Sequence, residues 1–532
     1  MRFGRFSIVI ILPILAMLLL TFAACSRQSK MPNASPVFSL RLSGEPTSLN
    51  PLVAVDGFSK PVHGYVLDTL LSRNENTNEW EPSLAESWSV SADGLQFTFK
   101  LRRGVHFHDG RPLTSRDVKF SFDVIFDSRF PTAHLRTYYE GFEKVEALDL
   151  LTVRFTAKER YFRNFESLAL LSVLPEHLYK DPKVAPASPH ELIGSGPYQV
   201  QSYEPGKGIV LKKDSNWWGA NDPRYTGRLN FEQIRFRFVR DENLALEMLK
   251  KGELDYLGLS ADTYFQKTTS PEWGSEAFAV KFKSEAPKGF GFVGWNLKNP
   301  LFQDKRVRLA LVHLMNRKLM IEKFRHGSSR LATGPWYQQS PYASPHVKPI
   351  EFDPQKARRL LREAGWGDRK LEFTILLPNS DSMKYFTIYQ EDAKKAGVLI
   401  HLKVLEWSSF IKLVDARNFD ALALAWRAGS VEIDPKQVWH STSAVAGGSN
   451  YVGYANPRVD ALIQKARGIM EARARIAVLQ EVYELIASDV PYAFLFNDEF
   501  DFYAHSARVQ KPQDTLKYGL GLDTWSFKQR AP

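Results

Sequence analysis

Residues 6–24 form one apolar run, FSIVIILPILAMLLLTFAA, which follows two arginines in MRFGR and stops at Cys25. That cysteine is the only one in the 532 residues. The run is too short and wrongly flanked for a lasting membrane span. Its basic start, apolar middle and small-residue end fit a secretory signal instead. An exported chain without a cysteine pair forms no intramolecular disulfide, so its fold must be stabilised by burial alone. At this length the burial is expected to be divided among two or three domains.

The junction Phe22-Ala23-Ala24-Cys25 resembles a bacterial lipobox, with Phe where Leu is commoner. Cys25 is therefore expected to be lipidated after removal of residues 1–24, each buried acyl methylene adding about 0.8 kcal/mol to membrane attachment. Residues 25–36 then form a lipidated tether, polar with two prolines. The globular part is expected to start near Val37. Formal charge is +11, and cleavage lowers it by two, the charges of Arg2 and Arg5. The densest basic groups, QKARRLLR and QDKRVR, alternate with apolar residues at helical spacing. They read as solvated helix faces, and no nucleic-acid-binding motif accompanies them.

Strands and helices alternate without a fixed repeat. In LQFTFKLR, Leu95, Phe97, Phe99 and Leu101 share one face, while Gln96, Thr98 and Lys100 share the other. This period of two marks a half-buried strand. LTVRFT (151–156) and IRFRFV (234–239) repeat it, so antiparallel or mixed sheets with one wet side are expected. Helices are announced by their ends. Thr114 caps with Asp117 three residues on; Asp241 opens a helix that Gly252 closes; Asp353, Pro354 and Gly365 bound another. A helix from Asp304 through DKRVRLALVHLMNRKLM is expected to bury Val307, Leu311, Leu314 and Met315. NPRVDALIQKA and EARARIAVLQEVYELIA read as a late helical pair. The fold class is mixed α/β with several sheets.

Catalytic signatures are missing from the sequence: there is no G-x-S-x-G, no H-E-x-x-H, no P-loop and no glycine-rich dinucleotide turn. The stretch GVHFHDG (104–110) offers two readings. His106 and His108 would share one side of a strand, with Asp109 beside them, as metal ligands need; yet two imidazoles rarely suffice for a site. Alternatively the segment is a return strand between turns at Arg103-Gly104 and Asp109-Gly110. The turn reading is preferred, and neither a metal nor a cofactor is expected.

The whole stretch from 93 to 123 resembles the signature of the bacterial family 5 extracellular solute-binding proteins, the dipeptide and oligopeptide receptors of ABC importers. Further segments resemble the family in its order: GEPTSLNPL (44–52), EPSLAESW (81–88), GSGPYQV (194–200), DSNWWG (214–219), LKKGELDY (249–256), WNLKNPLFQDKRVRLALVHLMNR (295–317) and FDPQKARRLLREAGW (352–366). Two more, DPRYTGRLNFEQIRFRFVRDENLALEMLKKGELD and WHSTSAVAGGSNYVGYANPRVDALI, are similar to the branch linked to larger peptides and microcin C-type antibiotics.

The resemblance implies a two-lobed periplasmic-binding-protein fold, class II-like, with three domains, mixed sheets and a hinge of two crossing strands. Domain I would comprise 37–73, 192–284 and 493–532, domain II 74–191, and domain III 285–492, with crossings near 281–296 and 490–500. It also implies a monomer that binds a peptide and docks on an inner-membrane permease with its ATPase subunits. The membrane itself would be reached through lipidated Cys25, on the periplasmic or cell-surface side, and no nucleic acid is involved. A non-peptide solute (a metal chelate, a sugar or a peptide-like antibiotic) in the same receptor remains open, as does a hydrolase on this scaffold.

The family's amine-binding aspartate lies shortly after a tryptophan that Trp426 matches, but Gly429 stands where that acid is expected. Asp434 and, behind it, Glu432 are the nearest candidates. Ser48, Leu49 and Asn50 are expected at the cleft edge, and Trp295 and Asn296 beside the hinge facing the cleft. Trp407 and Trp426 are candidates for the walls of side-chain pockets. Gly447, Gly448, Ser449 and Asn450 are candidates to donate backbone hydrogen bonds, and Arg427 has either a ligand carboxylate or an outward salt bridge for partner.

Overall fold

The alternation at 95–101 becomes the strand Gln96–Leu101, with Phe97, Phe99 and Leu101 buried and Gln96 and Lys100 exposed. It sits in a four-stranded antiparallel sheet in the order Ala85–Val90, Gln96–Leu101, Thr152–Ala157, Phe142–Ala147. These features come from a computed structural model that describes residues 36–54, 57–182, 191–367, 369–427, 429–445, 448–513 and 516–529. The apolar run, Cys25, the rest of the tether up to residue 35, and Gly447 lie outside the described residues.

A seven-stranded mixed sheet runs Ala277–Phe282, Asp501–Ser506, Tyr256–Leu259, Phe38–Leu42, Gln233–Phe238, Gly208–Lys213, Tyr198–Glu204. Phe38–Leu42 is parallel to both neighbours, and the other pairs are antiparallel. Asp255, fully buried, stitches the two chain ends of this sheet together. Its carboxylate accepts from Ser39 N (2.8 Å), Ser506 Oγ (2.8 Å) and both Nε (2.6 Å) and Nη2 (2.7 Å) of Arg508. Here charge-assisted bonds tie the two strands together without a disulfide.

The third large sheet has five strands in the order Val398–Val404, Leu371–Leu377, Ala421–Trp426, Phe290–Trp295, Tyr492–Phe494. Both faces are covered by buried clusters, one around Trp295, Phe302 and Phe373, the other around Phe292, Trp439 and Tyr492. Only two stretches of described backbone, 283–289 and 495–500, pass between this sheet and the seven-stranded one. They run side by side: Leu495 N donates to Gly291 O (2.9 Å), Asn497 Nδ2 to Gly289 O (3.3 Å), and Ser284 Oγ to Asp501 Oδ2 (2.7 Å).

Most helix ends fall where their capping residues place them. Thr114 and Asp117 close a capping box on Ser115–Asp123, Asp241 caps Glu242–Lys250, and Asp353 caps Pro354–Glu363. The expected single helix from Asp304 is broken in two, Lys305–His313 and Arg317–Arg325. Asn316 ends the reading: its side chain accepts from Leu319 N and starts a new helix, a capping signal stronger than the continuing apolar stripe. Val307, Leu311, Leu314 and Met315 are nonetheless all buried.

GVHFHDG is a small hairpin. Phe107 N donates to Arg111 O and Leu113 N to Val105 O, and Gly104 and Gly110 take φ of +73° and +84°. His106 is exposed, His108 lies against the 194–196 loop with Nε2 2.9 Å from Gly196 O, and Asp109 pairs with His177 at 2.6 Å. Among the described residues no three His, Cys, Asp or Glu side chains are grouped to hold a metal. The loop that His108 pins is itself pressed against a helix end. A Cβ at Gly194 would sit 1.9 Å from Val66 O, so only glycine fits.

Two residues past Val66, Asp68 is buried with Ser195 Oγ (3.1 Å) and Trp218 Nε1 (2.8 Å) as donors and, among the described residues, no cation in contact. Burial pushes its carboxyl up to about 7, opposed by hydrogen bonding from the Trp218, Ser195 and Trp217 side chains. The folded state thus binds a proton that the unfolded state releases. The stability this contributes is present below the ordinary carboxylate range and is lost as pH rises towards 7. Asp68→Asn keeps the accepting oxygen and removes the titration. Thermal melts between pH 4 and 8 should show wild type losing stability relative to the variant as pH rises to about 7, with no further relative loss above it.

Candidate ligand-binding cleft

The two crossings form the floor of a groove between the sheets. Three adjoining cavities occupy it, of about 470, 560 and 330 Å³. Arg325 and Asp498 border the first and second, Lys288 the first and third, and Phe290, Trp426 and Arg427 the second and third. A row of connected spaces suits an extended ligand better than a compact one.

The groove is shut on two sides. On one, Tyr161 and Phe162, which follow the four-stranded sheet, reach the five-stranded unit. Tyr161 OH donates to Asp434 Oδ2 (2.6 Å), Phe162 N donates to Arg467 O (3.1 Å), and Ser430 Oγ donates to Glu166 Oε1 (2.7 Å). The guanidinium of Arg467 lies 3.9 Å over the Tyr161 ring and that of Arg475 4.0 Å over Phe162. On the other side, Asp262 of the seven-stranded unit meets His326 (3.0 Å) and Lys384. Phe265 adds an aromatic contact to His326, the ring centroids 4.9 Å apart.

Asp434 and Glu432 line the third cavity, where the sequence places its amine-binding candidates, but each is already engaged. Asp434 pairs with Arg467 besides accepting from Tyr161, and Glu432 pairs with Arg475 and accepts from Tyr342 OH (2.6 Å). Burial, reinforced by Asp434, pushes the Tyr161 phenol up, so it stays a donor. Neither acid can take an ammonium without sharing or giving up an arginine.

Trp407 and Trp426 both line the second cavity. Trp407 is 53% exposed, and Trp426 stacks between Phe292 and Tyr451 at centroid distances of 6.1 and 5.6 Å. Trp295 is elsewhere: it is fully buried against Phe302 and Phe373 in the core. Asn296 is buried too, its Nδ2 donating to Phe419 O (2.8 Å). Leu49 is in the core of the seven-stranded unit, while Ser48 Oγ and Asn50 Oδ1 accept from Asn50 N and Leu52 N, closing a turn. Asn450 is likewise a staple, tying His440 O and Tyr454 O; Ser449 Oγ accepts from Gln437, which lines the third cavity. Gly448 is held by close backbone approach, a Cβ there falling 2.2 Å from Ser443 O.

Five charged residues at the cleft were not singled out from sequence: Arg163, Lys288, Arg325, Asp498 and Asp501. Lys288 pairs with Asp501 across the two crossings, and Arg325 with Asp498, which also accepts from Ser329 Oγ (2.7 Å). Asp498 and Asp501 were signalled by NDEFD (497–501) falling at the expected second crossing, and Lys288 by its place in the expected first.

Residues 79–448 match the family described as bacterial extracellular solute-binding proteins, family 5 Middle. The chain belongs to this family. Among relatives of this family 5 protein, the oligopeptide-binding protein AppA of Bacillus subtilis is 29% identical over 480 residues, covering 85% of this chain and 84% of its own. YejA of Escherichia coli is 26% identical over 518 residues, covering 86% and 83%. The solved structure of B. subtilis AppA with a nonapeptide superposes with a TM-score of 0.75 at 25% identity, over 94% of this chain and 100% of that one. NikA of Brucella suis with Fe(III)-EDTA does so at 0.78 and 22%, over 93% and 100%, a likeness of fold. The two-lobed periplasmic-binding-protein architecture expected from sequence is thereby confirmed.

Because Asp434 neutralises a largely buried guanidinium, Asp434→Asn should destabilise this family 5 protein by on the order of 3 kcal/mol, read as a lower denaturant midpoint. An exposed loop acid would give less than about 0.5 kcal/mol.

Proposed function

We propose that this chain is the lipid-anchored substrate-binding protein of an ABC importer, capturing oligopeptides between its two lobes and delivering them to a membrane permease. The observation that carries this reading is the row of three cavities along the crossings, closed on both sides by contacts between units. A receptor for varied peptides must bind what peptides share, their backbone and charged ends, while roomy spaces accept the side chains with water. The seven-stranded and four-stranded units form one lobe, the five-stranded unit the other, and 283–289 with 495–500 the hinge. AppA, an oligopeptide-binding protein crystallised with a nonapeptide, supports the same cargo.

Closure supplies the signal to the permease. A ligand shifts the open–closed balance only by its differential affinity for the closed form. Micromolar binding corresponds to about −8.2 kcal/mol. The permease partner carries the ATPase, and the receptor works as a monomer held to the membrane by acylated Cys25.

A degenerate peptide library should raise the melting temperature, and the peptides recovered afterwards should be intact. No shift with any pool removes the peptide reading; shortened peptides would make the protein a hydrolase. Native mass spectrometry of protein from its own host should show a peptide mass, whereas a metal chelate or sugar would change the cargo. Separately, Cys25→Ser should move the mature protein from the membrane fraction to the soluble fraction; unchanged partition would remove the anchor.

A further inference from the structure

Every acid lining the three cavities is engaged by a cation. Asp434 is held by Arg467, Glu432 by Arg475, Asp498 by Arg325 and Asp501 by Lys288. The lining Arg163 is engaged in turn by Glu166 at 3.0 Å. Arg427 differs. It borders the second and third cavities, is exposed to the groove, and has no ion pair or hydrogen bond among the described residues. The groove therefore offers a guest one uncommitted guanidinium and no uncommitted carboxylate.

We infer that Arg427 anchors a carboxylate of the bound peptide, so that this receptor grips its cargo by the negative end. The inference rests on the peptide reading above. A guanidinium presents a planar fork of donors that matches a carboxylate in two parallel bonds. Lobe closure removes water from around the pair and strengthens it. The neighbourhood says what accompanies the carboxylate. Beside Arg427 lies the cavity of about 560 Å³ walled by Trp407, Trp426, Tyr385 and Phe496. In a C-terminal residue the carboxylate and side chain diverge from one Cα. A carboxylate on Arg427 therefore directs that residue's side chain towards the aromatic walls. A bulky apolar or aromatic C-terminal residue fits this arrangement. An acidic side chain within the peptide supplies the same carboxylate chemistry, and the test separates the two sources.

Three degenerate pentapeptide libraries serve as probes: free acid, C-terminal amide, and N-acetylated free acid, each made with and without Asp and Glu. Retention is quantified by mass spectrometry on wild type, Arg427→Gln and Arg427→Lys. Because Arg427 is exposed and unpaired, both variants should melt as wild type does. For a C-terminal anchor, amidation lowers retention on wild type about tenfold or more, N-acetylation changes it less than about threefold, and Arg427→Gln loses the preference for the free acid while Arg427→Lys keeps part of it. For a side-chain anchor, removing Asp and Glu from the library produces that loss instead, again only with Arg427 present. Indifference of wild type to both carboxylates, or an unchanged preference in Arg427→Gln, overturns the assignment while leaving peptide binding intact. If no library is retained in any form, the peptide reading itself falls.

Discussion

Two short crossings of backbone carry the whole arrangement. Residues 283–289 and 495–500 are the only described chain between the five-stranded and seven-stranded sheets, and Lys288 and Asp501 pair at their exit. Because they run together, bonded from Leu495 to Gly291 and from Asn497 to Gly289, they act as one ribbon rather than two tethers. The cavities lie along this ribbon, so its residues are both hinge and wall. Small torsional changes here move a whole unit while each core stays packed, since close-packed interiors deform little and interfaces change instead.

Burial has to stabilise each unit separately, because no disulfide is available. The structure meets this with distinct apolar clusters on each sheet and with buried charge stitches such as Asp255 with Arg508. The contacts between units are of another kind. Tyr161 on Asp434, Arg475 over Phe162 and His326 on Asp262 are polar or cation–π contacts at the groove rim. Such contacts are weak singly, which suits a joint that must open and shut.

Much of the fold was legible because local signals agreed with one another. Phe97, Phe99 and Leu101 alternate as a half-buried strand must, and Asp353-Pro354 with Gly365 bound a helix on chemistry alone. Asn316 shows the limit: an apolar stripe ran past a residue whose side chain preferred to cap. The site was less legible. Trp407 and Trp426 were singled out as wide aromatic residues and both line one cavity, but Trp295 carried the same signal and packs in the core. Trp407 opens the helix Trp407–Asp415 and Trp426 lies at the more exposed end of the strand Ala421–Trp426, whereas Trp295 lies on Phe290–Trp295, whose two faces are both covered. The pairing of Asp434 with Arg467 and Glu432 with Arg475 was invisible for a similar reason. It depends on where the late helices Pro457–Arg467 and Ala472–Asp489 dock, a tertiary fact that spacing along the chain does not encode.

The central claim is that the two lobes close on a guest by bending at the crossings. The single native cysteine makes this measurable, since Cys25→Ser leaves a cysteine-free background. Spin labels at Glu143, exposed on Phe142–Ala147, and Arg473, exposed on Ala472–Asp489, report the distance across the groove. Pulsed dipolar spectroscopy should give a broad distribution for the empty protein that collapses to one short, narrow distance with saturating peptide library. One distribution, unchanged by any amount of peptide, would contradict the account.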